Sequence, residues 1–260
     1  MKRSNKLFWV FFVIFLGAVI FGAYYYISQQ KKEAVYEKMA EQNQVKEEPE
    51  QEGEPPKVET PPPAEEEKPE IPIDFAGLQS TNPEIYAWIR IPDTEVDYPM
   101  VQRPEDDTYY LSHTVEGAEG LPGSIFTESL NKRDFTDPNT VIYGHDMRDG
   151  TMFGHLKKYM DSSYMEEHPL IYIYTPEHIY TYQVFAAVTY DNRHILRSFD
   201  FAQETQYQEF LDSLRDARSM ASYVRDDISV STENRILTLS TCNGNEQQRF
   251  LVEAVLTDEQ

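Results

Sequence analysis

The amino-acid sequence predicts a mainly β domain, a barrel or closed sheet with peripheral helices, tethered to a membrane by one amino-terminal helix and an acidic spacer. Three observations carry this prediction. Residues 7–27 hold no charged side chain, and glutamate and proline dominate from residue 33 to about residue 70. Beyond that lie short segments rich in Val, Ile, Tyr, Phe and Thr, punctuated by Pro, Gly, Asn or Asp, which is the pattern of strands joined by turns.

The amino terminus comes first. Lys2, Arg3 and Lys6 precede LFWVFFVIFLGAVIFGAYYYI, which as a helix spans roughly 30 Å, the thickness of a bilayer's hydrocarbon core. A cleaved signal peptide carries a shorter apolar region and a small-residue site behind it. Here the stretch runs into Tyr24, Tyr25 and Tyr26, residues suited to a membrane interface. Residues 1–6 are therefore expected on the cytoplasmic side, residues 7–27 as a retained anchor in the cell membrane, and the bulk of the chain outside. Lys31 and Lys32 weigh against that orientation; the three leading basic residues favour it.

Residues 28–70 read as a linker too polar to offset the entropy of ordering, extended by its prolines and like charges to a reach on the order of 100 Å. The whole chain has a formal charge of −22, which argues against nucleic acid as a partner. Residues 71–260 are enough for one domain with a hydrophobic core. FAGLQSTNPEIYAWIRIP reads as a short helix ending near Asn82–Pro83, then a turn and a strand. EVDYPMVQ, PGSIFTE, NTVIYGH, LIYIYT, IYTYQVFAAVTY, RILTLSTC and RFLVEAVL read as further strands, with Thr175–His178 closing a hairpin. In residues 200–222, Tyr207, Phe210, Leu211 and Leu214 recur at helical spacing and predict an amphipathic helix packed on the sheet.

Cys242 is the single cysteine, so no internal disulfide exists, and a lone thiol outside the cell is an inert buried group, an intermolecular link or a nucleophile. Alternation along RILTLSTC puts Leu237, Leu239 and Thr241 on the face expected to be core, and Thr238, Ser240 and Cys242 on a polar face. Cys242 thus stands at a strand end, held rigidly yet reachable. If CNGNEQQR is a hairpin loop, Arg249 lies near Cys242, where a guanidinium favours a thiolate or an oxyanion. Of six histidines, His145 ends an apolar strand just as Cys242 does; His113 is its nearest rival as the base. No histidine spacing fits a zinc motif and no second cysteine exists, so neither a metal nor another cofactor is expected.

TLSTC, with YGHDM upstream and QQRFLV just downstream, resembles the signature of the sortases, cysteine transpeptidases of Gram-positive cell surfaces. The order His–Cys–Arg separates that family from papain-like peptidases, in which the cysteine comes first. NPEIYAWIRIP, VDYPMVQ, DDTYYLSH, GSIF and YGHDMRDGTMFGHLKKY resemble successive segments of class B members, and so does a long helix before the cysteine strand. The resemblance implies an eight-stranded sortase barrel with helices at its rim. It also implies Cys242 as nucleophile, His145 as acid/base and Arg249 as substrate clamp and oxyanion stabiliser. Ser240, Thr241, Tyr143, Leu111 and Asp107 would line the groove for a sorting signal. Asp107 and Asp146 stand where the family pattern often has asparagine, and Asn243 where Thr or Ser is common.

The implied activity is cleavage of a C-terminal sorting signal on secreted proteins, through a thioester on Cys242. Transfer then follows to an amine of a cell-wall precursor or of a pilin. Two alternatives use the same sequence differently: a membrane-tethered cysteine endopeptidase, in which water resolves the thioester, and a non-enzymatic surface binding module.

Overall fold

A computed structural model describes residues 4–43, 69–217, 222–242 and 244–260. Lys2 and Arg3, most of the acidic spacer, the tail of the predicted 200–222 helix and Asn243 lie outside the described residues.

Eight strands close into a barrel. In chain order they are β1 (Ile85–Arg90), β2 (Asp97–Val101), β3 (Ile125–Thr127), β4 (Asn139–Tyr143), β5 (Leu170–Tyr174) and β6 (Ile179–Asp191), then β8 (Ile236–Cys242) and β9 (Gln248–Glu259). The two-residue β7 (Tyr223–Val224) adds to the outside of β6. Neighbours run β5-β1-β2-β3-β4-β8-β9-β6, and β6 pairs back onto β5 to complete the ring. The predicted hairpin between β5 and β6 is present, with the Thr175 amide donating to the His178 carbonyl at 2.9 Å. Closure leaves none of the eight strands as an open sheet edge.

Helix α1 (Ser4–Gln42) includes the apolar stretch, and Phe8 to Ile27 is exposed on every face. Among the described residues it is the one helix long and apolar enough to cross a membrane. The spacer expected from residue 28 is corrected over residues 28–42, which continue the same helix. Tyr36 and Met39 are buried against the barrel, and the Asn43 carbonyl accepts from the Arg90 guanidinium at 2.9 Å. Helix α2 (Phe75–Thr81) starts at Asp74, whose carboxylate caps the Gly77 amide at 2.9 Å, and ends at Asn82 as expected. Short helices α3 (Ser162–Glu167) and α4 (Ile195–Ser198) decorate the rim.

Helix α5 (Glu204–Asp216) fills part of the predicted 200–222 helix and buries Tyr207, Phe210, Leu211 and Leu214. It covers the outer face of β4, β8 and β9, where Val141, Ile236, Leu251 and Val255 form a second core beside the barrel interior. That layer changes the reading of β8. Leu237 and Leu239 face the barrel interior as expected, but Thr238 and Ser240, placed on a polar face, are buried too. The outer face is roofed by a helix, and Cys242 alone in β8 emerges.

Candidate active site

The site forms where the outer face of β4, β8 and β9 runs out from under its cover. β4 and β8 are parallel and in register, with Val141 beside Thr238 and Tyr143 beside Ser240. β9 runs antiparallel on the other side of β8, with Glu253 opposite Thr238, Leu251 opposite Ser240 and Arg249 opposite Cys242. These pairs make rows across the sheet. Partnered residues point the same way and side chains repeat every second residue, so the next row past Tyr143–Ser240–Leu251 is His145, Cys242 and Arg249. Neighbouring strands are about 4.8 Å apart, which sets the backbone spacing of Cys242 and Arg249.

Two hydrogen bonds carry the register past the end of β4. The Gly144 amide donates to the Ser240 carbonyl at 3.2 Å, and the Thr241 hydroxyl donates to the Gly144 carbonyl at 2.8 Å. Thr241 is buried and spends its hydroxyl on this tie. The His145 ring meets the Leu111 carbonyl through Nε2 at 2.6 Å. A carbonyl oxygen only accepts, so Nε2 carries the proton and the Nδ1 lone pair remains for a second partner. Beyond His145 the chain turns back, with the Phe153 amide donating to the His145 carbonyl at 2.9 Å. Asp146 places its carboxylate 2.5 Å from the Lys157 ammonium, a partner other than the histidine. The rival base His113 is stacked on Tyr109 with ring centres 3.9 Å apart.

Around this row, Cys242 is exposed and Arg249 half-buried, with Nη1 donating to the Gln248 carbonyl at 2.8 Å. Leu111 exposes half of its surface beside the histidine. Tyr143 is half-buried and stacks on Phe126 at 5.4 Å between centres; burial pushes its phenol up, with Glu128 and Asp107 adding to the effect. Asp107 accepts from the Ser129 amide at 2.6 Å and the Ser129 hydroxyl at 3.1 Å, which fixes it at the end of β3.

Sequence reasoning missed a histidine–carboxylate contact on this side. His194 Nε2 lies 2.6 Å from the Glu128 carboxylate, joining the start of α4 to the end of β3 near Tyr143. Burial pushes the Glu128 carboxyl up, against the pull of His194. No local pattern signals this pair, because its members come from different loops.

Comparison with known proteins decides the family. A sortase-domain model matches residues 89–257. A sortase B of Listeria monocytogenes is 33% identical over 174 residues, covering 67% of this chain and 69% of the relative. The chain belongs to the sortases, in class B. A Staphylococcus aureus sortase B–substrate complex superimposes with a TM-score of 0.62 at 32% identity, over 71% of this chain and 84% of the other. A sortase B from B. anthracis, in complex with AAEK1, gives 0.64 at 35% identity, over 74% and 88%. The chain is thus a cysteine transpeptidase that cleaves sorting signals, on the eight-stranded barrel that the sequence implies.

Proposed function

We propose that this sortase stands on the outer side of the cell membrane, anchored by α1. It joins secreted proteins bearing a C-terminal sorting motif to an amine of a cell-wall precursor or a pilin. The observation that carries the proposal is that Cys242, the exposed end of an otherwise buried strand, lies opposite Arg249, with the segment before His145 hydrogen-bonded to the same strand through Gly144. A Staphylococcus aureus sortase B has been seen with a substrate, and a sortase B with triglycine, which supports a peptide donor and an amine acceptor.

The chemistry follows from the groups in the row. The Cys242 thiol gives its proton to the His145 Nδ1 lone pair, and the resulting thiolate attacks the carbonyl carbon at the scissile bond, whose oxygen takes the negative charge. Arg249 stabilises that oxyanion and orients the peptide. As the tetrahedral species collapses, the C–N bond breaks, and His145 delivers a proton from Nδ1 to the departing amine. A thioester remains. The acceptor amine adds to it, His145 takes the amine's proton back, and the thiolate leaves as the new amide forms. Tyr143, Leu111 and Asp107 flank the row as groove residues; Ser240, expected there too, is buried beneath it, and Thr241 holds Gly144 and thereby His145.

The test is ligation. The full chain is incubated with a panel of sorting-signal peptides and an oligoglycine amine, beside Cys242→Ala, and products are read by mass spectrometry. Ligated product that vanishes in the variant is the expected result and names the motif. Cleavage with no ligation in the presence of amine makes the protein an endopeptidase instead.

A further inference from the structure

The part of α1 beyond its apolar stretch docks on the segment that backs His145. We infer that Tyr36, on that helix, is a positioning residue for His145; the inference rests on the reading of His145 as the acid/base. The Tyr36 hydroxyl is buried and has three partners on the connection between the turn at residues 109–111 and β3. It donates to the Gly123 carbonyl, lies 3.1 Å from the Ser124 hydroxyl, and accepts from the Val115 amide at 3.2 Å. One side-chain atom thus fastens both ends of segment 115–124. Its ring packs edge-on against Tyr98 at 5.8 Å, so it is held from the barrel side as well.

The fastened segment is the backing of the histidine. Gly123 sits at φ +69° so close to His145 that a β-carbon there would lie 3.0 Å from its Cδ2 and 2.9 Å from the Leu111 carbonyl oxygen. That carbonyl is the one holding His145 Nε2. The residues flanking it are tied into the same segment: the Ser124 amide donates to the Tyr110 carbonyl at 3.0 Å, and the Gly120 amide to the Ser112 carbonyl at 2.7 Å. The Ser124 hydroxyl also donates to the His113 carbonyl at 2.8 Å. The chain of contact from Tyr36 to the imidazole therefore runs through Gly123 and Ser124 to the Leu111 carbonyl. Without the hydroxyl, the buried Val115 amide and Gly123 carbonyl lose a partner, and the carbonyl that orients His145 loses its support.

The test uses the full chain in detergent micelles, in four forms: unaltered, Tyr36→Phe, Met39→Ala and His145→Ala. Two readouts are taken well below the melting temperature of each form. One is ligation of pooled sorting-signal peptides to triglycine; the other is the pH profile of Cys242 alkylation by iodoacetamide, unambiguous because the chain has one cysteine. Tyr36→Phe keeps the ring on Tyr98, and its ligation rate is expected to fall about five-fold, the scale of one lost hydrogen bond. Its alkylation profile is expected to move toward that of His145→Ala. Met39→Ala, which loosens the buried helix contact but leaves the hydroxyl, is expected to keep the unaltered profile. If Tyr36→Phe matches the unaltered chain in both readouts while His145→Ala is inactive, the inference fails and the acid/base reading stands. If Met39→Ala reproduces the Tyr36→Phe changes, the helix acts only structurally and the inference fails. Ligation undiminished in His145→Ala overturns the acid/base reading and the inference with it.

Discussion

Glu253 is fully buried opposite Thr238, whose hydroxyl donates to it at 2.8 Å, and burial pushes its carboxyl up to about 8. An unfolded glutamate titrates near 4.3, so the folded protein holds an extra proton between that pH and about 8. Stability is fully expressed below the unfolded value and falls as pH rises through this window, by a few kcal/mol on an order-of-magnitude scale. Urea midpoints at pH 5 and pH 8.5 check this: Glu253→Gln should flatten the difference and be the more stable form at pH 8.5. At the site itself, Arg249→Lys keeps the charge but loses the planar fork. Ligation kcat/KM is expected to fall about 100-fold with little change in melting temperature. Both Cys242 and Arg249 were legible in the sequence because a short loop between two β-patterned runs fixes their register. His145 could be read in the sequence only as a polar group near the end of an apolar strand, which stops at Tyr143. Glu128 with His194, and Tyr36 with Gly123, were not, since each pair is joined only by tertiary packing.

Helix α5 shows what a period can and cannot reveal. Tyr207, Phe210, Leu211 and Leu214 repeat at helical spacing, and all four are buried over the outer sheet face. Removing the most enclosed of them, Phe210→Ala, is expected to cost about 3–5 kcal/mol, measured by urea denaturation of the full chain in micelles. Because this helix roofs the rows that lead to Cys242, the same variant should also lower ligation at temperatures where it remains folded. Helices α3 and α4 and strand β7 are six, four and two residues long, too short to carry a period. The continuation of α1 was obscured differently. Tyr36, Met39, Ala40 and Asn43 follow the spacing of one helical face, yet two turns of apolar stripe are outweighed by the Glu, Lys and Gln around them. Composition identified the solvent side of this segment and hid its docked side.

At the scale of the molecule, the exposed single thiol reports which side of the membrane the barrel occupies. A membrane-impermeant maleimide applied to intact cells should label Cys242 as fully as it does after lysis; labelling only after lysis would reverse the orientation. The barrel as a class was readable from strand patterning. Its strand order was not, because β4 lies beside β8, across 97 residues between Gly144 and Thr241, and no local signal records such a pairing. That same pairing governs when the enzyme comes into being. Chain order puts β9 last, yet in space it lies between β8 and β6, where it completes the ring and brings Arg249 to Cys242. Loop closure over such separations is slow compared with local folding. The β8–β9 hairpin that sets Arg249 opposite Cys242 is local, so a partly folded chain carries that pair before the long-range β4–β8 pairing brings the His145 segment alongside and finishes the wall. The row at the open end of the sheet is complete only when β4, β8 and β9, drawn from distant parts of the chain, have all joined the ring.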